Sequence, residues 1–172
     1  SDLVLDPSFG DGVFLTAACE RLKELGGNPA RQVFGVEVDA DSHGRTASRL
    51  RNKYAIPEKN LVLGDFFKTP LPEQPQTTVV VGNPPFIRYQ RFSGTTRRTA
   101  LRRAQLAGVT LSELSSSWAP FLIESIAALR NGGNLAMVLP QEIGYANYAR
   151  PVLDYLSRTF SKVTFLTFQE RV

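Results

Sequence analysis

In Val79–Gln90, VVVGNPPFIRYQ, an apolar run ends in Gly82 and Asn83, and Pro84 and Pro85 then restrict the backbone that carries the Asn83 amide. Phe86 adds an aromatic face and Arg88 a cation. Such a segment displays hydrogen-bonding groups rigidly beside a ring on which another ring can stack. Two earlier apolar runs end in acids. GVEVDAD contains Glu37, some twenty-odd residues beyond a glycine turn, where a carboxylate is placed to accept hydrogen bonds from both hydroxyls of a ribose; Asp39 is the poorer candidate for that role. GDFF contains Asp65, an acceptor for an exocyclic amine, and Phe66, which can lie against a purine. Upstream, DPSFGDGVFL (Asp6–Leu15) has Gly10 and Gly12 in a tight turn before a helix start whose amides lack intrahelical partners. In this order the groups suit an adenosine. Each alone is also explained as a helix cap, a solvated loop acid or a strand-to-helix turn.

Other chemistries fit less well. No third glycine follows Gly12, where Val13, Phe14 and Leu15 stand, so the dinucleotide fingerprint is broken. No lysine follows either, which argues against a phosphate-cradling nucleotidase loop. One histidine and one cysteine do not make a usual zinc site, and no metal is expected. Cys19 reads as a small apolar residue on a helix.

The chain of 172 residues, 42% hydrophobic, suits one domain with a sizeable core. It has no apolar run of bilayer-spanning length and no basic-then-apolar leader, so a cytoplasmic protein without a membrane partner is expected. Its net charge of +4 is unevenly placed. Gln74 to Ser112 holds no Asp or Glu but contains Arg88, Arg91, Arg97, Arg98, Arg102 and Arg103, so the remainder is slightly acidic. A local basic patch of this kind suits a polyanion.

The elements that must position these groups alternate. Strands are predicted at Leu3–Asp6, Gln32–Asp39, Asn60–Asp65, Thr77–Asn83, Asn134–Pro140 and Lys162–Phe168. Helices are predicted at Val13–Leu25, Asp39–Tyr54, from Ser115–Ser117 to about Arg130 with closure at Gly132 and Gly133, and Ala146–Phe160. A further helix is possible around Arg98, Arg102 and Gln105, which share one face, with Leu101, Ala104 and Gly108 on another. Trp118 falls on an apolar face with Phe121, Leu122, Ile126 and Leu129 and is expected in the core. The alternation predicts an α/β fold with a mostly parallel sheet and helices on both faces, and ligands beyond the carboxyl ends of the strands.

DPSFGDGVFL, GVEVDAD, GDFF and GNPPF, in this order and spacing, resemble the motifs of S-adenosylmethionine-dependent DNA adenine-N6 methyltransferases, most of all the gamma-type enzymes of restriction-modification and phage-defence systems. The resemblance implies a Rossmann-like methyltransferase fold, truncated before the seventh strand. Residues 1–172 would be a catalytic-domain fragment of a longer protein, with 1–67 mainly the cofactor-binding half and 77–172 mainly the substrate-binding half. Asp6 and the turn through Gly10 and Gly12 would hold the methionine part of S-adenosylmethionine, Glu37 its ribose, and Asp65 with Phe66 its adenine, with Pro7 and Phe14 also among the cofactor-binding residues. Asn83, Pro84, Pro85 and Phe86 would form the catalytic set. The Asn83 side-chain oxygen and the Pro84 carbonyl would accept the protons of a flipped-out adenine amine, whose ring would stack on Phe86, for direct displacement at the methyl. Arg88, Arg91, Arg98 and Arg102 would meet the phosphates of double-stranded DNA, giving affinity without reading sequence.

The Asn-Pro-Pro-aromatic pattern also occurs in methyltransferases acting on RNA adenine or protein glutamine, and a non-catalytic nucleic-acid-binding module on this fold is a further alternative. The resemblance implies that a specificity region or restriction nuclease lies outside the chain and that the protein is bacterial, nucleoid-associated when bound to DNA. Related enzymes often carry an acid shortly before the Asn-Pro-Pro strand, where Thr77 and Thr78 stand in this chain.

Overall fold

The computed structural model describes residues 2–70 and 77–167. Five strands, β1 (Val4–Asp6), β2 (Val33–Glu37), β3 (Leu61–Leu63), β4 (Thr77–Gly82) and β5 (Leu129–Met137), form one sheet in the order β3-β2-β1-β4-β5. Every pairing is parallel. Helices α1 (Val13–Glu24) and α2 (Pro29–Gln32) lie between β1 and β2, α3 (Ala40–Tyr54) between β2 and β3, and α4 (Gly94–Leu106) and α5 (Trp118–Ala127) between β4 and β5, while α6 (Arg150–Thr159) follows β5.

Alternation along the buried strands divides the core between the two faces. Val4 and Val33 pack with Leu15, Cys19 and Leu22 of α1 and Ala47, Leu50 and Tyr54 of α3. Leu5, Val36 and Val80 point the other way, toward Phe66, Phe67, Ala100 of α4 and Phe121 of α5. A further cluster joins Ala104, Trp118, Leu122 and Ile123 to Val152 and Leu156 of α6. Trp118 is fully buried, with its indole N–H donated to Glu142 Oε1 at 2.9 Å and Tyr148 Oη at 3.1 Å, which bears out its core reading.

Three predicted elements are corrected. Lys162–Thr167 forms no strand, and Phe168 lies outside the described residues. Val163, Phe165 and Leu166 made the segment read as a strand, but their side chains are exposed and no ladder takes their backbone. The helix expected to run to about Arg130 stops at Ala127, and β5 begins at Leu129, ahead of the glycines expected to close the helix. Gly132 adopts φ 78° where the β4–β5 register shifts, so these glycines accommodate a bulge inside the strand. The last helix begins at Arg150 rather than Ala146, after a 3-10 turn over Asn147–Ala149, with Pro151 in its first turn. The possible arginine helix is α4; Arg98, Arg102 and Gln105 are exposed and Ala104 is buried.

Candidate active site

Four strands deliver their last residues to one edge of the sheet. Asp6 closes β1 and is 1% exposed, its Oδ1 accepting the Ser8 amide at 3.0 Å. Burial pushes its carboxyl up to about 7; the Ser8 amide opposes this, and the nearby charge of Glu37 adds to it. The beginning of the Asn-Pro-Pro loop leans on this group, because a Cβ on Gly82 would stand 3.0 Å from Asp6 Oδ1.

The glycine turn then crosses to α3. Gly12, at φ 71°, starts α1, and a Cβ there would lie 2.6 Å from Thr46 Cγ2, so both conformation and space require glycine. Thr46 Oγ1 donates to the Gly10 carbonyl at 2.7 Å, and the Gly10 amide donates to Glu37 Oε2 at 2.8 Å. Glu37 Oε1 takes the Asp39 amide at 2.8 Å. The carboxylate ending β2 is thus fixed by two backbone donors, and each oxygen keeps further acceptor capacity. Asp39, the poorer ribose candidate, caps α3 through Ser42 at 2.8 Å. No side chain caps α1.

Beyond β2 and β3 lies a cleft of about 280 Å³. It brings together Pro7, Glu37, Asp65, Phe66, Pro85 and Arg91 from the sequence-predicted set. Phe66 also belongs to the core, with its ring 5.1 Å from that of Phe121. Asp6, Gly10, Gly12 and Phe14 are not part of this lining; they form the adjoining turn and the start of α1. Sequence reasoning missed several wall residues. Val38, next to Glu37, is 69% exposed and supplies an apolar face at the cleft. Ile87, Thr96 and Ser117 come from the second half of the chain, so both halves build one cleft. Only the apolar Val38 directly after the strand-ending acid gave a sequence signal.

The NPPF loop is fastened to the rim. Ser8 Oγ donates to the Asn83 carbonyl at 3.2 Å, and Ser117 Oγ donates to the Pro85 carbonyl while accepting the Ile87 amide at 2.8 Å. The Ser117 amide returns to the Ile87 carbonyl at 2.9 Å. Pro84 is buried beneath the loop, Asn83 is exposed, and Phe86 is 47% exposed. Among the described residues nothing donates to the Asn83 side chain or the Pro84 carbonyl; Asn83, Pro84 and Phe86 are not part of the cleft lining, which this loop enters through Pro85 and Ile87. Thr78, standing near where related enzymes often carry an acid, binds the Leu3 amide and carbonyl at 2.7 and 3.1 Å and serves the sheet.

The arginines separate into two groups. Arg88, Arg91, Arg98 and Arg102 are exposed. Arg97 pairs with Glu113 at 2.7 Å, and Arg103 pairs with Glu124, whose side chain is 5% exposed. These two hold α4 to the following segment and to α5.

The family profile for N-6 DNA Methylase matches residues 1–150. The chain is 24% identical over 187 residues to the Type II methyltransferase M.BstVI of Geobacillus stearothermophilus, covering 95% of this chain and 32% of that protein. It is 28% identical over 180 residues to the Type II methyltransferase M.PaeR7I of Pseudomonas aeruginosa, covering 91% and 30%. It thus spans about a third of the curated relatives it matches. The crystal structure of the type I restriction-modification methyltransferase subunit from Streptococcus thermophilus superposes with a TM-score of 0.67 at 21% identity, over 91% of this chain and 33% of that one.

Proposed function

The chain belongs to the N-6 DNA methylase family, and from that premise we propose that it is the catalytic part of a restriction-modification enzyme that methylates the exocyclic amine of adenine in double-stranded DNA. Its fold is the Rossmann-like one of class I methyltransferases, and the cofactor implied by family and fold is S-adenosylmethionine. The residues fit that group: two carboxylates on neighbouring parallel strand ends, Glu37 and Asp65, share one cleft with the apolar Pro7, Val38 and Phe66. When bound, this cofactor supplies an electrophilic methyl on a sulfonium.

The chain's own residues do the rest. Glu37, held by Gly10 and Asp39, takes the ribose hydroxyls, and Asp65 takes the adenine amine of the cofactor. Asp6 and the turn through Pro7, Gly10, Gly12 and Phe14 take its amino-acid end. An aromatic amine is a weak nucleophile because its lone pair is delocalised into the ring. Asn83 Oδ1 and the Pro84 carbonyl accept its protons, which favours the pyramidal nitrogen and aims it. Phe86 stacks on the acceptor ring after it leaves the duplex. Arg88, Arg91, Arg98 and Arg102 hold the phosphates. Residues 1–67 serve mainly the cofactor and 77–172 mainly the acceptor, although the second half also walls the cleft. A specificity region or nuclease would come from outside this chain, and the bacterial cytoplasm is the place of action.

The observation that carries this reading is the fastening of the NPPF loop to the cleft rim through Ser8 and Ser117 with the Asn83 amide exposed. A tight turn needed only for packing would not require its amide displayed beside a two-carboxylate cleft. The test is a transfer assay with methyl-labelled S-adenosylmethionine and duplex DNA, structured RNA and protein extract offered separately, followed by mass spectrometry of the labelled product. N6-methyladenine in the duplex is expected. Label in RNA or on glutamine would reassign the acceptor, and no label in any, with the cofactor bound, would favour a binding module.

A further inference from the structure

Asp65 makes contacts that its role as an adenine acceptor does not require. Its side chain is 17% exposed. Oδ1 accepts the Phe67 amide of its own loop at 3.0 Å. Oδ2 accepts the Thr96 hydroxyl at 2.8 Å and pairs with Lys68 Nζ at 3.2 Å, and Lys68 Nζ also reaches Thr96 Oγ1 at 3.2 Å. The two lone pairs of Oδ2 are therefore engaged. Lys68 is half exposed and can return to water at little cost. Thr96 is different, because it sits in the first turn of α4 and itself lines the cleft. Its hydroxyl occupies Oδ2, the Asp65 oxygen that is not bonded to the backbone of its own loop.

The rest of α4 is anchored. Ala100 and Ala104 are buried, Arg103 is paired with Glu124, and Arg97 with Glu113. The first turn is held at its end by Arg97 but not at its start, where Ser93 provides no side-chain cap and Gly94 adopts φ 71°. Two exposed arginines bracket that turn, Arg91, which also lines the cleft, and Arg98.

We propose that Thr96 is a positioning residue that couples the cofactor cleft to DNA: its hydroxyl competes with the adenine amine for Asp65, and phosphates engaged by Arg91 and Arg98 draw the first turn of α4 away and end the competition. DNA and cofactor then bind cooperatively through one side chain. Because the effect is a coupling free energy, it is reciprocal, and the cofactor strengthens DNA binding by the same factor. The proposal rests on the reading above that Asp65 receives the adenine amine.

Calorimetric titration with S-adenosylhomocysteine, which binds without turnover, tests it in the wild type, Thr96→Val and Thr96→Ser, with and without a short duplex. Without DNA, Thr96→Val should bind about fivefold tighter than the wild type, the effect of one net hydrogen bond. The duplex should tighten the wild type and Thr96→Ser by a similar factor and leave Thr96→Val nearly unchanged. Weaker binding by Thr96→Val, or equal tightening of all three by DNA, would overturn the coupling. S-inosylhomocysteine, with a carbonyl in place of the purine amine, tests the premise separately. It should bind the wild type at least tenfold more weakly; equal affinity would remove Asp65 from the adenine, whatever Thr96 does.

Discussion

Replacing Asp6 by Asn should stabilise the protein above neutral pH and weaken its hold on the cofactor. Burial moves the carboxyl from 3.8 to about 7. At about 1.4 kcal/mol per pH unit, ionising it within the fold costs about 4 kcal/mol. The sign follows from proton counting. Below about pH 4 both folded and unfolded chains hold the proton, and the group costs nothing. Between about pH 4 and 7 the folded chain binds more protons than the unfolded one, so stability falls as pH rises. Above about 7 the whole cost is present. Asn is neutral throughout and can still accept the Ser8 amide, so urea denaturation should show the variant matching the wild type near pH 4 and exceeding it by up to about 4 kcal/mol near pH 8. The cofactor's ammonium favours the ionised carboxyl, so wild-type affinity for S-adenosylhomocysteine should rise by up to about tenfold per pH unit toward pH 7 and then level off. The variant should bind more weakly, with a flat profile. A stability difference independent of pH, or the same pH dependence of binding in both proteins, would refute the reasoning.

Arg103→Ala leaves Glu124 buried without its partner and should cost about 3–5 kcal/mol in urea denaturation, largely recovered in Arg103→Met/Glu124→Leu. Gly12→Ala forces a Cβ against Thr46 Cγ2 at a positive φ and should lower stability by about 1–3 kcal/mol, with a loss of cofactor affinity in the same preparation. Arg98→Ala/Arg102→Ala should leave the melting temperature unchanged, weaken duplex binding, and reduce the dependence of log affinity on log salt by about 2.

Much of the fold and part of the site were legible because a parallel sheet buries its strands on both faces, so an acid directly after an apolar run marks a carboxyl end. The strand-end placement of Glu37 and Asp65 was read in this way, and Gly10 and Gly12 marked the turn before α1. The wall made by Thr96 and Ser117 was not legible, since these residues reach the cleft by tertiary folding from segments that carry no periodic mark of it. The basic run looked uniform in sequence, yet Arg97 and Arg103 are committed to Glu113 and Glu124, partners whose placement depends on how α4 meets α5. The bulge in β5 was misread because Gly132 and Gly133 end a helix or bend a strand equally well, and only pairing with β4 decides between them. Lys162–Thr167 is rich in strand-favouring residues, but composition does not supply the hydrogen-bonding partner a strand also needs.

The most direct test is modification-detecting sequencing of genomic DNA from cells expressing the full-length protein, beside cells expressing its Asn83→Ala form at equal level and equal S-adenosylhomocysteine affinity. N6-methyladenine at one recurring sequence, absent with Asn83→Ala, is the predicted result, because the substitution removes an acceptor that acts on the transferred amine and not on the cofactor. Unmodified adenine in the wild-type cells, or the same methylation with Asn83→Ala, would contradict the account.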